Sequence, residues 1–274
     1  MFGVGILMAV YQADSPRHFE AALDSLSPFV ERLDEIVLVV DGPLPASLEA
    51  VIAARRSSHR LNCVYLPESV GLGAALNKGL AVATSPWLMR MDSDDLARPD
   101  RFEKLVGALR SSPFVDVLGS YIAEFDEDPQ QPVWERRVPL QHEEIVDKLR
   151  WRCVINHVSV IFRREVVVAV GGYQGGKAFP EDWWLWVRLA NAGCRFRNIP
   201  EVLIDVRVGN GFVARRRGWS FIKNDINFFW RTWRSGFIGF GRFVILLSTK
   251  LIARVIPSTL LLCLYRFVRT PVRE

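Results

Sequence analysis

The chain has 274 residues and a mass of 31.2 kDa, 50% of them hydrophobic and 11% aromatic; this excludes a disordered chain and allows one large α/β domain, alone or with an appendage. Its net charge of +5 conceals an asymmetry: from Arg207 onward thirteen Lys and Arg face only Asp225 and Glu274 (+11), while the first 206 residues carry 22 basic and 28 acidic groups (−6). Cys63, Cys153, Cys194 and Cys263 are widely separated with no CxxC pair, which argues against zinc or redox chemistry and for reduced core thiols.

The N-terminal stretch MFGVGILMAVYQAD has no basic region or small-residue cleavage site, and its apolar run ends too early to span a bilayer. It reads as a first strand, VGILMAVY, of a cytoplasmic protein. Ser15 then offers an N-cap and Pro16 a helix start, with Phe19, Ala22, Leu23 and Leu26 on one face. A second buried strand, EIVLVVDGP, precedes a helix carrying Leu48, Val51 and Ile52. LNCVYLPE gives a third strand, GLGAALNKGLAVAT a helix and WLMRM a fourth strand. Pro99 opens another helix, with Phe102, Leu105, Val106 and Leu109 facing inward. Nearly continuous apolar strands separated by helices predict right-handed crossovers and a doubly wound, mainly parallel sheet covered on both sides.

Further along, VDVLGSYIAEFD and HVSVIFRR are expected to be strands, and EDWWLWVRLANAG a helix closed by Gly193 at C′. Without a repeat or a low-complexity linker, residues 1–206 form one expected domain and residues 207–274 a basic, apolar helical extension.

In a sheet of this type ligands bind beyond the carboxyl ends of the strands. Asp41 ends strand two; Asp92, Asp94 and Asp95 follow strand four, so both belong to one rim. Carboxylates gathered so closely repel unless a cation lies between them, and hard oxygen ligands favour Mg²⁺ or Mn²⁺. The alternative is a set of solvated loop and cap residues. An EF-hand frame places Asp92, Asp94 and Glu103 at positions 1, 3 and 12, but Leu96 and Ala97 occupy positions 5 and 6, where a ligand and Gly are needed. A second acidic pair, Glu181 and Asp182, follows the Gly-rich stretch GGYQGGKAFP. These acids either complement a helix dipole or, with Trp183, Trp184 and Trp186, serve a carbohydrate site; the same tryptophans at helical spacing suit a core equally well.

In this order, ILMAVYQAD, VLVVDGP, GLGAALNKGLAVA, RMDSDDLARPDRF, VDVLGSYIAEF, NHVSVIFRR, VGGY and EDWWLWVRLANAG resemble the family 2 glycosyltransferases, and among them bacterial exopolysaccharide transferases of the amylovoran type. The resemblance covers roughly residues 3–206 and implies a GT-A fold with a mixed, mainly parallel sheet. It implies a nucleotide-diphospho-sugar donor, a Mn²⁺ or Mg²⁺ cofactor and inversion at the anomeric carbon. Carried onto this chain, it places Asp41 at the nucleotide base or ribose and makes Asp92 and Asp94 the metal-binding DxD element, with Asp94 the direct metal ligand and Asp92 nearer the ribose or a metal-bound water. Asp182 becomes the general base. Tyr11, His157 and Glu181 join the nucleotide-sugar site, and Asp14 lies where the first loop approaches the base. Two features depart from the family: VVDGP has one Asp where many relatives have two, and Ser69 stands where Asn is common. The Q-x-x-R-W element of processive synthases is absent, so transfer of one sugar per encounter is expected.

From Phe237 to Tyr265 the chain is strongly apolar but is interrupted by Arg242, Lys250 and Arg254 and broken by Pro257. That pattern fits helices lying on an anionic membrane, and ARRRGW and WRTWRSGF pair Arg with Trp as interfacial segments do. The competing reading is a helical appendage packed on the catalytic domain or on a second subunit. No nucleic-acid module is recognisable. The expected protein is thus an inverting, metal-dependent transferase at the inner face of a bacterial membrane, acting in surface-polysaccharide assembly on a saccharide acceptor, possibly linked to a polyprenyl diphosphate. The rivals are a sugar-phosphate nucleotidyltransferase, whose Gly-rich, Arg-containing loop AVYQADSP lacks, and a non-catalytic scaffold at the membrane periphery.

Overall fold

The alternation of apolar runs and amphipathic stretches is borne out in the computed structural model, which describes residues 3–176, 179–208 and 219–255. Strand β1 (Val4–Tyr11) leads into α1 (Pro16–Asp24), β2 (Glu35–Asp41), α2 (Ala46–Arg55), β3 (Leu61–Tyr65), α3 (Leu72–Val82) and β4 (Trp87–Arg90). Ser15 caps α1, accepting from the His18 amide, and Pro16 occupies its first turn. The four strands lie parallel in the order β3-β2-β1-β4. Ile6 and Met8 point to one face, packed on Phe19 and Leu23 of α1; Leu7 points to the other, against Leu76 and Leu80 of α3. Helix α3 sits so close to the sheet that a Cβ on Gly79 would lie 2.4 Å from Leu7 Cδ1 and 2.9 Å from Val39 Cγ2, so any side chain there would displace core side chains of β1 and β2.

Beyond β4 the sheet becomes mixed. The remaining elements are β5 (Leu96–Ala97), α4 (Arg101–Arg110), β6 (Val117–Phe125), β7 (Trp134–Arg136), α5 (His142–Leu149), β8 (Ile161–Arg163), α6 (Arg164–Ala169), α7 (Glu181–Asn191) and β9 (Phe196–Arg207). The sheet continues β4-β8-β6-β9-β5, with β7 pairing to β6. Only β6 and β9 are parallel in this half, and their ladder shifts register around Tyr121. The two-residue β5 follows the acidic loop directly and pairs with β9, Leu96 opposite Asp205 and Ala97 opposite Ile204.

One expected strand is shorter than its sequence suggests. HVSVIFRR is extended only over Ile161–Arg163, because His157–Ser159 form a 3₁₀ turn. Ser159 causes this: its hydroxyl donates to Asn156 O (3.0 Å) and Ser120 O (3.1 Å), competing with a strand ladder. Helix α7 ends as expected. Gly193 has φ +79°, the Gly193 amide donates to Ala190 O and that of Cys194 to Leu189 O, the paired bonds of a Schellman motif.

The tail is less separate than its charge implies. Helix α8 (Trp219–Arg234) buries Phe228 and Phe229 against α7, with the Phe228 ring 4.6 Å from that of Trp183. Trp183, Trp184 and Trp186 are therefore core residues and not a sugar-stacking surface, with exposures of 9%, 7% and 0%. Helix α9 (Phe240–Val255) returns against α8 and buries Leu246, while Trp230, Phe240 and Ile245 stay exposed on the outer side of this elbow. Packing on the catalytic region and presentation of an aromatic, basic outer face thus coexist. Residues 209–218, which hold all of ARRRGW but its final Trp219, and the chain from Ile256 onward lie outside the described residues. Among the described residues no helix is long and apolar enough to cross a membrane. Phe228→Ala should lower unfolding free energy by about 3–5 kcal/mol in urea titrations, the cost of emptying a buried aromatic site; a loss below about 1 kcal/mol would show α8 to be loosely attached.

Candidate active site

The carboxyl ends of β1, β2 and β4 converge on a set of acidic side chains. Asp14, in the turn after β1, accepts from the Tyr11 amide (3.1 Å) and from Ser93 Oγ (2.7 Å), so the first loop is tied to the acidic loop. Burial pushes its carboxyl above the usual range against the pull of these bonds. The Tyr11 side chain is 46% exposed at the rim. Asp41 is buried, and it is occupied. Its oxygens accept from Ser69 Oγ (2.9 Å), Val70 N (2.7 Å) and Gly71 N (3.1 Å), which anchors the loop entering α3. Ser69, the departure from the family's usual Asn, is one of these anchors.

Asp92, Asp94 and Asp95 each offer an oxygen, and the three atoms lie within 4.8 Å of one another. The loop is pinned from below and from the side. The Arg207 amide donates to Asp95 Oδ1 (3.0 Å) and Arg207 Nε to the Asp94 carbonyl (3.3 Å), both from the end of β9. Beneath it, the fully buried Arg90 forms an ion pair with Asp92. The equally buried Arg101 donates to Arg90 O (2.7 Å) and Val158 O (3.1 Å). Burial lowers the Arg101 guanidinium to a pKa of about 9. Two cations thus sit below three anions in low dielectric.

That balance is incomplete. Burial, then the charges of Asp92 and Asp14, raise Asp94 to a pKa of about 6; burial with Asp92 and Asp94 lifts Asp95 well above the ordinary carboxylate value. Asp95 Oδ2 is buried without a hydrogen-bond partner. Converging hard oxygens, resisting ionisation for want of positive charge, fit a divalent cation of the Mg²⁺ or Mn²⁺ type.

The second acidic group stands at the start of α7. Asp182 Oδ1 accepts from the Trp183 amide (2.7 Å), and the Cys153 thiol donates toward Oδ2 at 4.0 Å. Burial, then Asp182, pushes that thiol up to about 12, so it remains protonated. Glu181 packs over Gly73 of α3. The loop leading to α7 is latched to α3, since Asn77 donates to Tyr173 O and accepts from Tyr173 N, both at 2.7 Å. His157 Nε2 and the Tyr173 hydroxyl are 2.8 Å apart. Burial and then Arg90 hold His157 well below its ordinary pKa; it is a neutral partner of a buried phenol and not an exposed ligand. Burial, against the pull of Arg90 and with the added charges of Asp182, Glu181 and Asp92, raises the Tyr173 phenol, so this buried side chain is within electrostatic reach of both acidic groups.

Sequence reasoning passed over Asn77, Tyr173, Arg90, Arg101 and Cys153. One signal was available: an arginine inside the apolar strand WLMRM is costly unless it faces an anion.

The profile described as Glycosyl transferase family 2 matches residues 6–170, more than half of the chain. The chain belongs to this family. Among curated proteins, this transferase is 35% identical over 260 residues to the amylovoran biosynthesis glycosyltransferase AmsE of Erwinia amylovora, covering 95% of this chain and 97% of the relative. It is 31% identical over 254 residues to the UDP-Gal:α-D-GlcNAc-diphosphoundecaprenol β-1,3-galactosyltransferase of Escherichia coli, covering 93% and 92% of the two chains. The fold is that of solved GT-A transferases. The mannosyltransferase PcManGT of Pyrobaculum calidifontis, solved with GDP-Man and Mn²⁺, superposes with a TM-score of 0.62 at 20% identity, over 90% of this chain and 68% of that one.

The raised Asp94 sets a pH dependence in this transferase. A carboxyl that holds its proton more tightly folded than unfolded loses stability for the fold as pH rises from about 4 through about 6. In EDTA, Asp94→Asn should therefore melt above wild type at pH 7.5, and the difference should close toward pH 4. Differential scanning calorimetry across that range checks it; a variant that melts below wild type at pH 7.5 refutes the repulsion.

Proposed function

We propose that the chain is an inverting glycosyltransferase that moves one sugar from a nucleotide-diphospho-sugar to a saccharide acceptor during surface-polysaccharide assembly. The observation that carries this reading is the confined carboxylate cluster of Asp92, Asp94 and Asp95 within a family 2 transferase. Asp92 and Asp94 would hold Mn²⁺ or Mg²⁺, with Asp94 the more direct ligand; the ion supplies positive charge to a departing nucleoside diphosphate. Tyr11 and the Asp14 loop would border the base, with Asp41 acting through the loop it anchors. Asp182 takes the proton of the acceptor hydroxyl as that oxygen bonds to the anomeric carbon and the carbon–phosphate oxygen bond breaks. Attack from the face opposite the leaving group inverts the configuration. Glu181 and His157 complete the pocket, His157 through Tyr173.

The acceptor is read as a saccharide on a polyprenyl diphosphate, supported by the name of the Escherichia coli relative. Residence at the cytoplasmic face of the membrane is supported by the exposed Trp230 and Phe240 beside Arg231, Arg234 and Arg242.

A panel of nucleotide sugars, incubated with Mn²⁺ and scored by chromatography for the nucleotide released, tests the reading; release from none of them, with or without acceptor, sinks it. Asp94→Ala should abolish transfer and calorimetrically detected, Mn²⁺-dependent nucleotide binding together. Asp182→Asn should cut kcat about 10²–10⁴-fold while leaving donor binding intact. Wild-type turnover by either variant removes that residue from its assigned role.

A further inference from the structure

The surface beside Asp182 carries charge that sugar transfer itself does not require. The segment Arg150–Cys153 follows α5, and its last residue touches Asp182 through the thiol. The carbonyl of Cys153 accepts from Arg136 Nη2 on β7 at 2.9 Å. Arg152 precedes it, exposed, and lines a polar cleft of about 310 Å³ with Tyr121, Arg137 and Lys148. Arg137 and Lys148 are paired with Glu135 and Glu144. Among the described residues, neither Arg136 nor Arg152 has a carboxylate partner. In a body whose first 206 residues carry −6, two guanidiniums without an ion-pair partner thus bracket Cys153, Arg136 by its bond to the Cys153 carbonyl and Arg152 as the preceding residue in the chain.

The same segment leads outward to the elbow of α8 and α9. Trp151, 43% exposed, lies under the Arg242 guanidinium at 4.5 Å, and Arg150 lies over Phe237 at 5.6 Å. Trp151 is thus joined through Arg242 to α9, whose Phe243 and Phe240 pack on Trp230 and Trp233 of α8.

We propose that Arg136 and Arg152 bind the diphosphate of the lipid-linked acceptor, with its lipid leaving across Trp151 toward the elbow. This rests on the lipid-linked acceptor of the functional reading. A sugar bonded directly to a diphosphate presents a hydroxyl at one end and dense negative charge at the other. Asp182, Cys153 and Arg136 follow one another by contact, so a single residue, Cys153, separates the expected base from a cation. Planar guanidinium forks match phosphate oxygens better than ammonium groups do. Membrane headgroups would instead be met at the elbow, by Arg234 and its neighbours.

Farnesyl diphosphate titrated into the full chain in EDTA reports this site without donor, metal or turnover. Calorimetry should show binding of farnesyl diphosphate and none of farnesol, with Arg152→Ala and Arg136→Ala each weakening it at least tenfold. Arg152 is exposed, so its variant keeps the test valid should Arg136→Ala fail to fold. Absence of binding, or binding that Arg152→Ala leaves intact, overturns the assignment. In turnover, the kcat/KM ratio of a diphosphate-lipid-linked sugar over the alkyl glycoside of the same sugar should fall at least tenfold in the variants. An unchanged ratio marks a structural role and likewise overturns it. A chain that binds farnesyl diphosphate through Arg152 but transfers no sugar refutes the transferase reading and leaves the diphosphate site standing.

Discussion

Three carboxylates held within 4.8 Å of each other at the end of a buried strand are the constraint around which the rest of the chain is arranged. Left to itself such a loop would splay into water. Here it is fastened at several points: Ser93 to Asp14, the Asp95 side chain and Asp94 carbonyl to Arg207, and Asp92 to Arg90. Arg90 and Arg101 lower the repulsion without removing it, as the raised Asp94 and Asp95 record. A site that remains short of positive charge after folding has a standing affinity for a cation. The fold holds the anions together, and positive charge is what the site still lacks.

The second half of the site is positioned by polar latches. Asn77 binds both backbone groups of Tyr173, whose hydroxyl meets a neutral His157; the loop in front of α7 is thereby fixed to α3 and to the turn beneath β8. The acidic start of α7 is also backed by a wall of aromatic rings, with Trp183 against Phe228 and Phe229. The rigidity of the expected base depends in this way on the helix that begins the basic tail.

Much of this was legible in the sequence because periodicity and punctuation agree in the first half. Ser15 and Pro16 fall where capping rules place them, as Gly193 does later in the chain, and the four apolar runs became four parallel strands. The acidic rim followed from strand order alone. The second half was harder to read, for physical reasons. Ser159 diverts its segment into a 3₁₀ turn through side-chain bonds that no apolar pattern signals. A two-residue strand such as β5 has no period to detect. The tryptophans of α7 fit two environments equally well until α8 covered them. Asp41 has the position expected of a ligand contact, yet three internal donors claim its oxygens, and only coordinates reveal that competition.

The short β5 has a consequence for the order of assembly. It clips the acidic loop to β9, and Asp95 meets an amide 112 residues downstream. Closure over so long a separation is slow and contributes little until both ends are in place. During synthesis, the nascent chain can complete its four parallel strands while the acidic loop still lacks its outer clasp. The proposed cation site should therefore be completed late, once Arg207 has left the ribosome, and a chain interrupted before that residue would carry the full aspartate triplet without the clasp that gathers it.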